Sequence, residues 1–153
     1  MTKFYELDLT TLDFREIPDA FFDVIILSHV IEHLHNGDEV LRNLLRKLKQ
    51  EGYVYIEFPS SRSTRFQSKK GTLNFYDDPT HCRIFTVEEI SNILVENQFT
   101  VLRSGTRRDW MRVFLTPVKI VYTKLTLGYV PGGVFWDILG FADFVFAKKG
   151  FHK

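Results

Sequence analysis

The stretch FDVIILSHVIEHL, from Phe22 to Leu34, decides the fold. Its first half is a nearly continuous run of apolar residues rich in Val and Ile, which is typical of a strand buried on both faces of a parallel sheet. Its second half places Glu32 and His33, two side chains capable of acid–base chemistry, directly after that strand. We therefore predict a buried strand whose carboxyl end carries polar functional groups.

A helix and a second strand are predicted to follow. Four leucines recur at helical spacing between residues 37 and 50. Basic side chains occupy the last turns of this segment, where the helix dipole favours them. Glu51 and Gly52 then close the helix, and an apolar run over 53–58 predicts the next strand. Strand, helix and strand in this order form a βαβ unit, whose crossover is expected to be right-handed.

Elsewhere the pattern predicts three further strands and one capped helix. Apolar and polar residues alternate over Phe4–Leu9, which indicates a short strand. Thr86 and Glu89 have the spacing of a capping box and predict a helix that ends near Asn97. Strands are then predicted from Phe99 and, near the end of the chain, over 144–147.

Two long connections separate these elements. Residues 60–84 are mostly polar, and a connection of this length in a compact domain is usually functional or disordered. Residues 107–140 carry apolar side chains at helical spacing, which predicts a helical insertion between the last two strands. The apolar part of this insertion, Trp110 to Leu127, is open to several interpretations: packing, a substrate lid, a membrane-surface helix or a dimer face.

Composition excludes several classes of protein. The net charge of +1 gives no general attraction to nucleic acid, although a group of arginines between 103 and 112 and the basic residues of 60–84 could meet phosphates or form a solvated face. The single cysteine, Cys82, excludes an internal disulfide. No stretch reaches the ~18 apolar residues of a membrane span, and the first residues do not resemble a signal peptide. We therefore expect a cytoplasmic protein.

Three segments resemble landmarks of class I S-adenosylmethionine-dependent methyltransferases. Phe22–Leu34 resembles the fourth-strand signature of that family, Leu48–Pro59 its following glycine-and-strand landmark, and Asp78–Thr86 a stretch before its penultimate helix. Glu51 and Gln98 stand where the family has glycine. The resemblance implies an α/β fold with a partial Rossmann-like, doubly wound sheet. It also implies that the sheet is mostly parallel with an antiparallel final strand, has helices on both faces, and uses S-adenosylmethionine as cofactor.

The glycine-rich turn that grips the cofactor in this family has no counterpart in the sequence. No G-x-G-x-x-G-like cluster is present, and the chain is expected to begin at about the third strand of the family's sheet. Residues 1–153 would then form a single, incomplete domain. Loss of the first two strands should expose an edge of the strand over 23–27, and exposed apolar edges invite pairing with another chain. We therefore predict a homodimer, a partner chain that supplies the N-terminal half, or a rearranged N-terminal strand.

The resemblance also implies roles for particular residues at the cofactor. Asp8 would accept a hydrogen bond from the adenine amino group, and the main chain of Leu9 would contact the adenine ring. Ser28 and His29 would supply main-chain contacts near the sulfonium. From the residues alone, Asp8 can equally be an aspartate of a turn at the end of a strand.

On the acceptor side, the loop over 60–84 would cover the substrate. Arg62, Phe75 and Tyr76 are the candidate substrate-binding residues of this loop. His81 is the first candidate for a catalytic base and His33 the second. His81 could instead be a loop histidine bonded to a backbone carbonyl, and the pair formed by Glu32 and His33 could be purely structural.

No metal is assigned, but one alternative remains open. His29, Glu32, His33 and His81 together offer three imidazoles and a carboxylate, a set that suits Zn, Fe or Mn. The function expected from the resemblance is methyl transfer to a small-molecule or glycan-like acceptor, most simply O-methylation. The competing hypothesis is a non-catalytic, truncated or split methyltransferase-like module that acts through self-association or a partner chain.

Overall fold

The computed structural model describes residues 4–150 as four strands and five helices, with short 3-10 turns between them. The strands are β1 (Phe22–Ser28), β2 (Leu48–Pro59), β3 (Phe99–Thr106) and β4 (Ala142–Lys149). The helices are α1 (Gly37–Arg46), α2 (Val87–Glu96), α3 (Trp110–Phe114), α4 (Thr116–Leu127) and α5 (Trp136–Leu139). The 3-10 turns are Leu9–Thr11, Ile31–His33, Ser61–Arg65, Phe75–Asp77 and Gly132–Phe135.

The four strands form one mixed sheet in the order β1-β2-β4-β3. β1 pairs with β2 in parallel, while β4 lies antiparallel to both β2 and β3. The first three strands therefore run in one direction and the final strand runs against them. This arrangement confirms the predicted α/β fold class, including the antiparallel final strand.

Helices α1 and α2 pack on the same face of this sheet. The core joins apolar residues of both helices to alternate residues of β2 and β4, such as Ile56 and Val145, which are fully buried. The opposite face carries two stacked aromatic pairs, Tyr53 with Phe146 at 5.6 Å and Tyr55 with Phe144 at 5.8 Å between ring centroids. Within residues 4–150 the two faces are thus unequally covered, because both crossover helices share one of them.

β1 is an edge strand of the sheet, as expected if neighbouring strands are missing. Val24 is 50% exposed and Ile26 is 67% exposed, which is unusual for the central residues of a strand built from apolar side chains. Among the described strands β1 pairs only with β2, so its other edge is unpaired as predicted for 23–27, while Val24 and Ile26 lie on the sheet face away from the core.

The predicted strand over Phe4–Leu9 is wrong. Residues 4–8 have no regular secondary structure, and a 3-10 turn begins at Leu9. Asp8 caps this turn by accepting hydrogen bonds from the amide and the hydroxyl of Thr10, at 2.9 and 2.6 Å. An alternating pattern yields a strand only where another strand pairs with it, and no described strand lies beside these residues.

The boundary between α1 and β2 also differs from the prediction. The helix ends at Arg46 rather than Gln50. The carbonyl of Lys47 instead accepts hydrogen bonds from the amides of Phe21 and Phe22, at 2.8 and 2.9 Å. β2 therefore begins at Leu48, which is fully buried. The register between β1 and β2 is irregular just after this point, and Glu51 there has a φ of 64°.

The helix after Thr86 begins as predicted, with one change of partner. The hydroxyl of Thr86 accepts the amide of Glu89 at 3.1 Å. The carboxylate of Glu89 accepts from Arg83 at 2.6 Å, rather than from the backbone as a full capping box would require. Thr86 thus caps the helix as predicted, while Glu89 binds Arg83 and so holds the preceding loop.

None of the helices between residues 4 and 150 has the length and the continuous apolar character that crossing a bilayer requires.

Candidate active site

The carboxyl end of β1 holds a histidine between two carboxylates. His29 follows the last residue of β1 and has a φ of 53°, in the left-handed region. Its Nδ1 lies 3.0 Å from Oε1 of Glu32, and its Nε2 lies 3.3 Å from Oε1 of Glu57. A non-glycine residue in this backbone conformation is costly, so an observed case at a polar cluster points to a functional constraint.

The charge of His29 is set by those neighbours. Burial lowers the pKa of His29, but the carboxylates of Glu32 and Glu57 outweigh burial and raise the pKa to about 9. Burial raises the pKa of Glu57, but hydrogen bonds from His29 and Tyr55 and the nearby Arg107 leave it below the ordinary value. His29 is therefore a cation at neutral pH and cannot serve as a proton acceptor.

The network continues from β2 into the helical insertion. Oε2 of Glu57 accepts a hydrogen bond from the hydroxyl of Tyr55 at 2.6 Å, and Nε of Arg107 lies 3.7 Å from the same oxygen. Arg107 also donates a hydrogen bond to the carboxylate of buried Asp137 at 2.8 Å. The same carboxylate accepts a hydrogen bond from the amide of Asp109 at 2.8 Å. This chain of ion pairs fixes the insertion to the carboxyl ends of the strands.

A second imidazole pair lies on the other side of Glu32. The rings of His33 and His81 are 4.8 Å apart between centroids. His81 is nearly buried, and its Nδ1 lies 2.7 Å from the carbonyl oxygen of Phe75, so Nδ1 carries the hydrogen. The remaining nitrogen, Nε2, lies 4.0 Å from Glu32 and 3.9 Å from Asp78. Nε2 is therefore the nitrogen of His81 that faces the carboxylates of Glu32 and Asp78.

The loop over 60–84 is held in place by several anchors. The backbone amide of Cys82 donates to the carbonyl of Glu32 at 2.9 Å, which fixes His81 beside the carboxyl end of β1. Asp77 accepts from the hydroxyl of Ser68 and from the amides of Lys69, Leu73 and Asn74. Burial raises the pKa of Asp77, but these bonds outweigh it and keep the pKa far below its usual range.

The predicted substrate-binding residues have three different environments. Arg62 donates to Ser60, to Thr106 and to Asp143, so it ties the loop to β3 and β4. Phe75 is buried, with 2% of its surface exposed. Its carbonyl oxygen lies 2.7 Å from Nδ1 of His81, and its ring lies 4.7 Å from the His81 ring. Tyr76 is 68% exposed and can meet a ligand.

The predicted cofactor residues fit only part of S-adenosylmethionine. Asp8 is exposed, and both of its hydrogen bonds to Thr10 use the same carboxylate oxygen, Oδ1. Leu9 is half-buried and Ser28 is exposed. The amide of His29, however, donates to the carbonyl of Glu57 at 2.9 Å and is not free for a ligand. The residues present would hold the adenine end, and the sequence has no glycine-rich turn for the methionine end.

Three of the four alternative metal ligands come together. One ligand atom from each of Glu32, His33 and His81 lies within 4.8 Å of the others, while His29 is engaged by Glu32 instead. Two ligands ~2.1 Å from one zinc ion are at most about 4.2 Å apart. The cluster is therefore slightly wider than a closed metal site.

Sequence reasoning missed the second half of this site. Glu57 was assigned only to a strand, and Asp137 only to the end of the insertion. A carboxylate two residues before the proline that ends an apolar strand was a usable signal for Glu57. Asp137 gave no such signal, because its partner Arg107 lies thirty residues away.

Comparison with known proteins identifies the family. A profile of the family described as the methyltransferase domain matches residues 4–104, well over half of the chain. The chain belongs to this methyltransferase family. The match includes β1 and the loop that carries His81, so the predicted resemblance to class I S-adenosylmethionine-dependent methyltransferases is confirmed. No curated protein matches the methyltransferase chain at a significant level.

Solved structures support the same fold. An S-adenosylmethionine-dependent methyltransferase from Mesorhizobium loti aligns with a TM-score of 0.64 and 12% identity, over 94% of this chain and 67% of its own. A methyltransferase from Archaeoglobus fulgidus aligns with a TM-score of 0.55 and 22% identity, over 95% of this chain and 66% of its own.

A third structure, from Burkholderia thailandensis, is a 1,6-didemethyltoxoflavin-N1-methyltransferase with bound S-adenosylhomocysteine. It aligns with a TM-score of 0.51 and 17% identity, over 95% of this chain and 49% of its own. The methyltransferase chain thus spans about half to two thirds of the length of the three structures it resembles.

Proposed function

We propose that this chain forms the acceptor-side part of an S-adenosylmethionine-dependent methyltransferase that methylates a hydroxyl of a small-molecule or glycan-like acceptor. The observation that carries the proposal is the free Nε2 of His81. It lies at the carboxyl end of β1, where ligands collect in open α/β sheets, and the carbonyl of Phe75 fixes the tautomer.

The proposed chemistry is an in-line displacement. S-adenosylmethionine would supply a methyl group bound to its sulfonium sulfur. When the bond between that sulfur and the methyl carbon breaks, S-adenosylhomocysteine is the leaving group. The acceptor oxygen forms the new bond to the methyl carbon, and Nε2 of His81 takes the hydroxyl proton. Correct alignment of the two reactants contributes most of the acceleration, and proximity alone is worth about 7–11 kcal/mol.

The surrounding residues position this base. Buried Glu32 accepts from the His29 cation through Oε1, which also lies 4.0 Å from His81, and has no hydrogen bond at Oε2. A carboxylate near Nε2 stabilises the imidazolium that forms when His81 accepts a proton. His33, whose Nδ1 lies 2.9 Å from the hydroxyl of Thr80, is the second candidate base.

Replacement of His81 tests this assignment. In an assay that follows labelled methyl from S-adenosylmethionine into a panel of sugars and small alcohols, His81→Asn is expected to lower kcat by about 10²–10⁴-fold with little change in KM. His35→Asn, at an exposed histidine outside the cluster, is the control and should retain full activity. Equal activity of His81→Asn and the parent would contradict the role of His81.

A second candidate function is an assembly module without activity of its own. The open edge of β1 and the aromatic pairs on the uncovered sheet face favour it. The edge and this face would bind a second copy or a chain that supplies the missing strands. Sedimentation velocity separates the cases: the module predicts a dimer that Ile26→Lys dissociates, whereas a monomer with no exchanged segment contradicts self-association.

A further inference from the structure

Helix α4 has its apolar side chains on the outside. Phe114 at the end of α3 is 79% exposed, and along α4 Val118, Tyr122 and Leu125 are 64%, 66% and 80% exposed. Residues spaced three or four apart lie on one side of a helix, so these four side chains form a continuous stripe. An apolar stripe on a soluble helix normally faces the core.

The inner side of the same segment is comparatively polar. Thr116 is buried and Thr123 is half-buried, and their hydroxyls donate to the carbonyls of Arg112 and Lys119 one turn earlier, at 2.8 and 2.7 Å. The threonines therefore satisfy their own polar groups within the helix, and the half-buried Val113 and Ile120 supply the apolar contact with the protein. Packing inside this chain does not account for the stripe.

The two helices also carry positive charge. Residues 109–127 contain the basic residues Arg112, Lys119 and Lys124 and one acidic residue, Asp109, which pairs with Arg112 at 3.4 Å. Arg112 and Lys124 are exposed on α3 and α4. Exposed Trp110 at the start of α3 and Tyr122 add the two aromatic types that are enriched at membrane–water interfaces.

We propose that α3 and α4 form a surface that binds membranes containing anionic phospholipids, with the apolar stripe inserted at the level of the headgroups. A helix with Trp, Phe and Leu on one face and Lys and Arg around it has the chemistry of an interfacial helix. A second copy is the less favourable occupant, because it would bring two cationic segments together, and like charges across an interface are costly.

The position of α4 gives the proposal a consequence for the site. α4 packs on the turn Gly132–Phe135, which leads directly into α5, and Asp137 of α5 is held by Arg107 near the carboxyl ends of the strands. α4 is thus joined to the candidate active site through this turn and α5. The inference stands independently of the proposed reaction, since it rests on α3 and α4 alone.

Flotation of the full chain with vesicles tests the proposal. The chain should float with vesicles of phosphatidylcholine that contain about one third phosphatidylglycerol and should not float with pure phosphatidylcholine, because basic residues near an anionic surface each contribute to binding. The double variant Phe114→Glu with Leu125→Glu should bind at least tenfold more weakly. Val95→Glu, at a 60% exposed apolar residue of α2, is the matched control and should bind like the parent.

The charge contribution has its own variant pair. Arg112→Gln with Lys124→Gln should weaken binding about 30-fold, or about fivefold for each cation. Arg15→Gln with Arg46→Gln, two exposed cations outside α3 and α4, should leave binding unchanged. Circular dichroism should show an unchanged fold for all four variants, since each altered side chain is exposed.

Two results would overturn the proposal. The first is a parent chain that stays with the buffer when anionic vesicles float, or a Phe114 and Leu125 variant that floats as well as the parent. The second is a parent chain that is a dimer without lipid and that the same variant converts to a monomer, which would assign the stripe to self-association.

Discussion

His29 carries the strongest electrostatic prediction at the scale of single residues. Its pKa rises from an ordinary 6.5 to about 9 in the fold, because Glu32 and Glu57 outweigh the effect of burial. A cation stabilised in this way contributes to folding fully below pH 6.5, and the contribution is lost as pH rises through about 9. The free energy of unfolding should therefore fall by up to about 3 kcal/mol over that window.

Replacement of His29 removes this pH dependence. We expect His29→Gln to be less stable than the parent at pH 6, since it leaves two carboxylates without their cation, and to lose most of the slope between pH 6.5 and 9. Urea unfolding at several pH values measures both effects, with His35→Gln as control. An unchanged slope in His29→Gln would show that the ion pairs with Glu32 and Glu57 do not persist in solution.

The sequence predicted one half of the site at this scale and missed the other. Glu32, His33 and His81 belong to two short motifs, and the structure brings them together. The burial of Phe75 was not predictable, because a motif shows spacing and does not show which side chain is buried. Glu57 and Asp137 could not be foreseen as partners of Arg107, since these contacts depend on where the insertion folds back.

At the scale of secondary-structure elements, one helix end is strained. Gln98 follows the end of α2 with a φ of 67°, at the position where helices most often have glycine. Gln98→Gly should raise the free energy of unfolding by about 1 kcal/mol, because glycine adopts this conformation without a steric penalty. Gln67→Gly, in a loop where φ is not positive, should have no stabilising effect. Thermal unfolding decides between them, and a destabilised Gln98→Gly contradicts this explanation.

The loop over 60–84 depends on Asp77. Asp77→Asn keeps one acceptor oxygen but loses the charge that attracts four donors, so the segment between Ser68 and Asn74 should open more often. Limited proteolysis should cut this segment faster in Asp77→Asn than in the parent. Asp13→Asn, whose partner Arg15 is two residues away on the surface, serves as control. Equal cleavage of the parent and Asp77→Asn would show that other contacts hold the loop.

The elements themselves were predicted better than their ends. β1, α2 and the antiparallel last strand follow directly from apolar pattern and capping residues. The end of α1 was set too late, because Lys47 pairs with the start of β1 and draws Leu48 into the core. A strand over Phe4–Leu9 was expected from alternation alone, and its realisation depends on a neighbouring strand that the described chain does not contain.

At the scale of the whole molecule, the acceptor side is built and the cofactor side is partial. The mixed sheet, the loop with His81 and the insertion anchored by Arg107 form one end of a methyltransferase fold. Asp8 and Leu9 remain for the adenine end and Ser28 for the region of the sulfonium, while the amide of His29 is already bonded to Glu57. Methyl transfer by this chain without a partner requires that these residues bind the cofactor.

Isothermal titration of the full chain with S-adenosylmethionine tests that claim most directly. The account predicts saturable heat with a Kd below ~100 μM, equivalent to about 5.5 kcal/mol of binding, and a loss of at least tenfold in Asp8→Ala. Glu16→Ala, at an exposed acidic residue, should bind like the parent. The absence of heat from a chain whose circular dichroism shows a folded domain would contradict the claim and favour the assembly module.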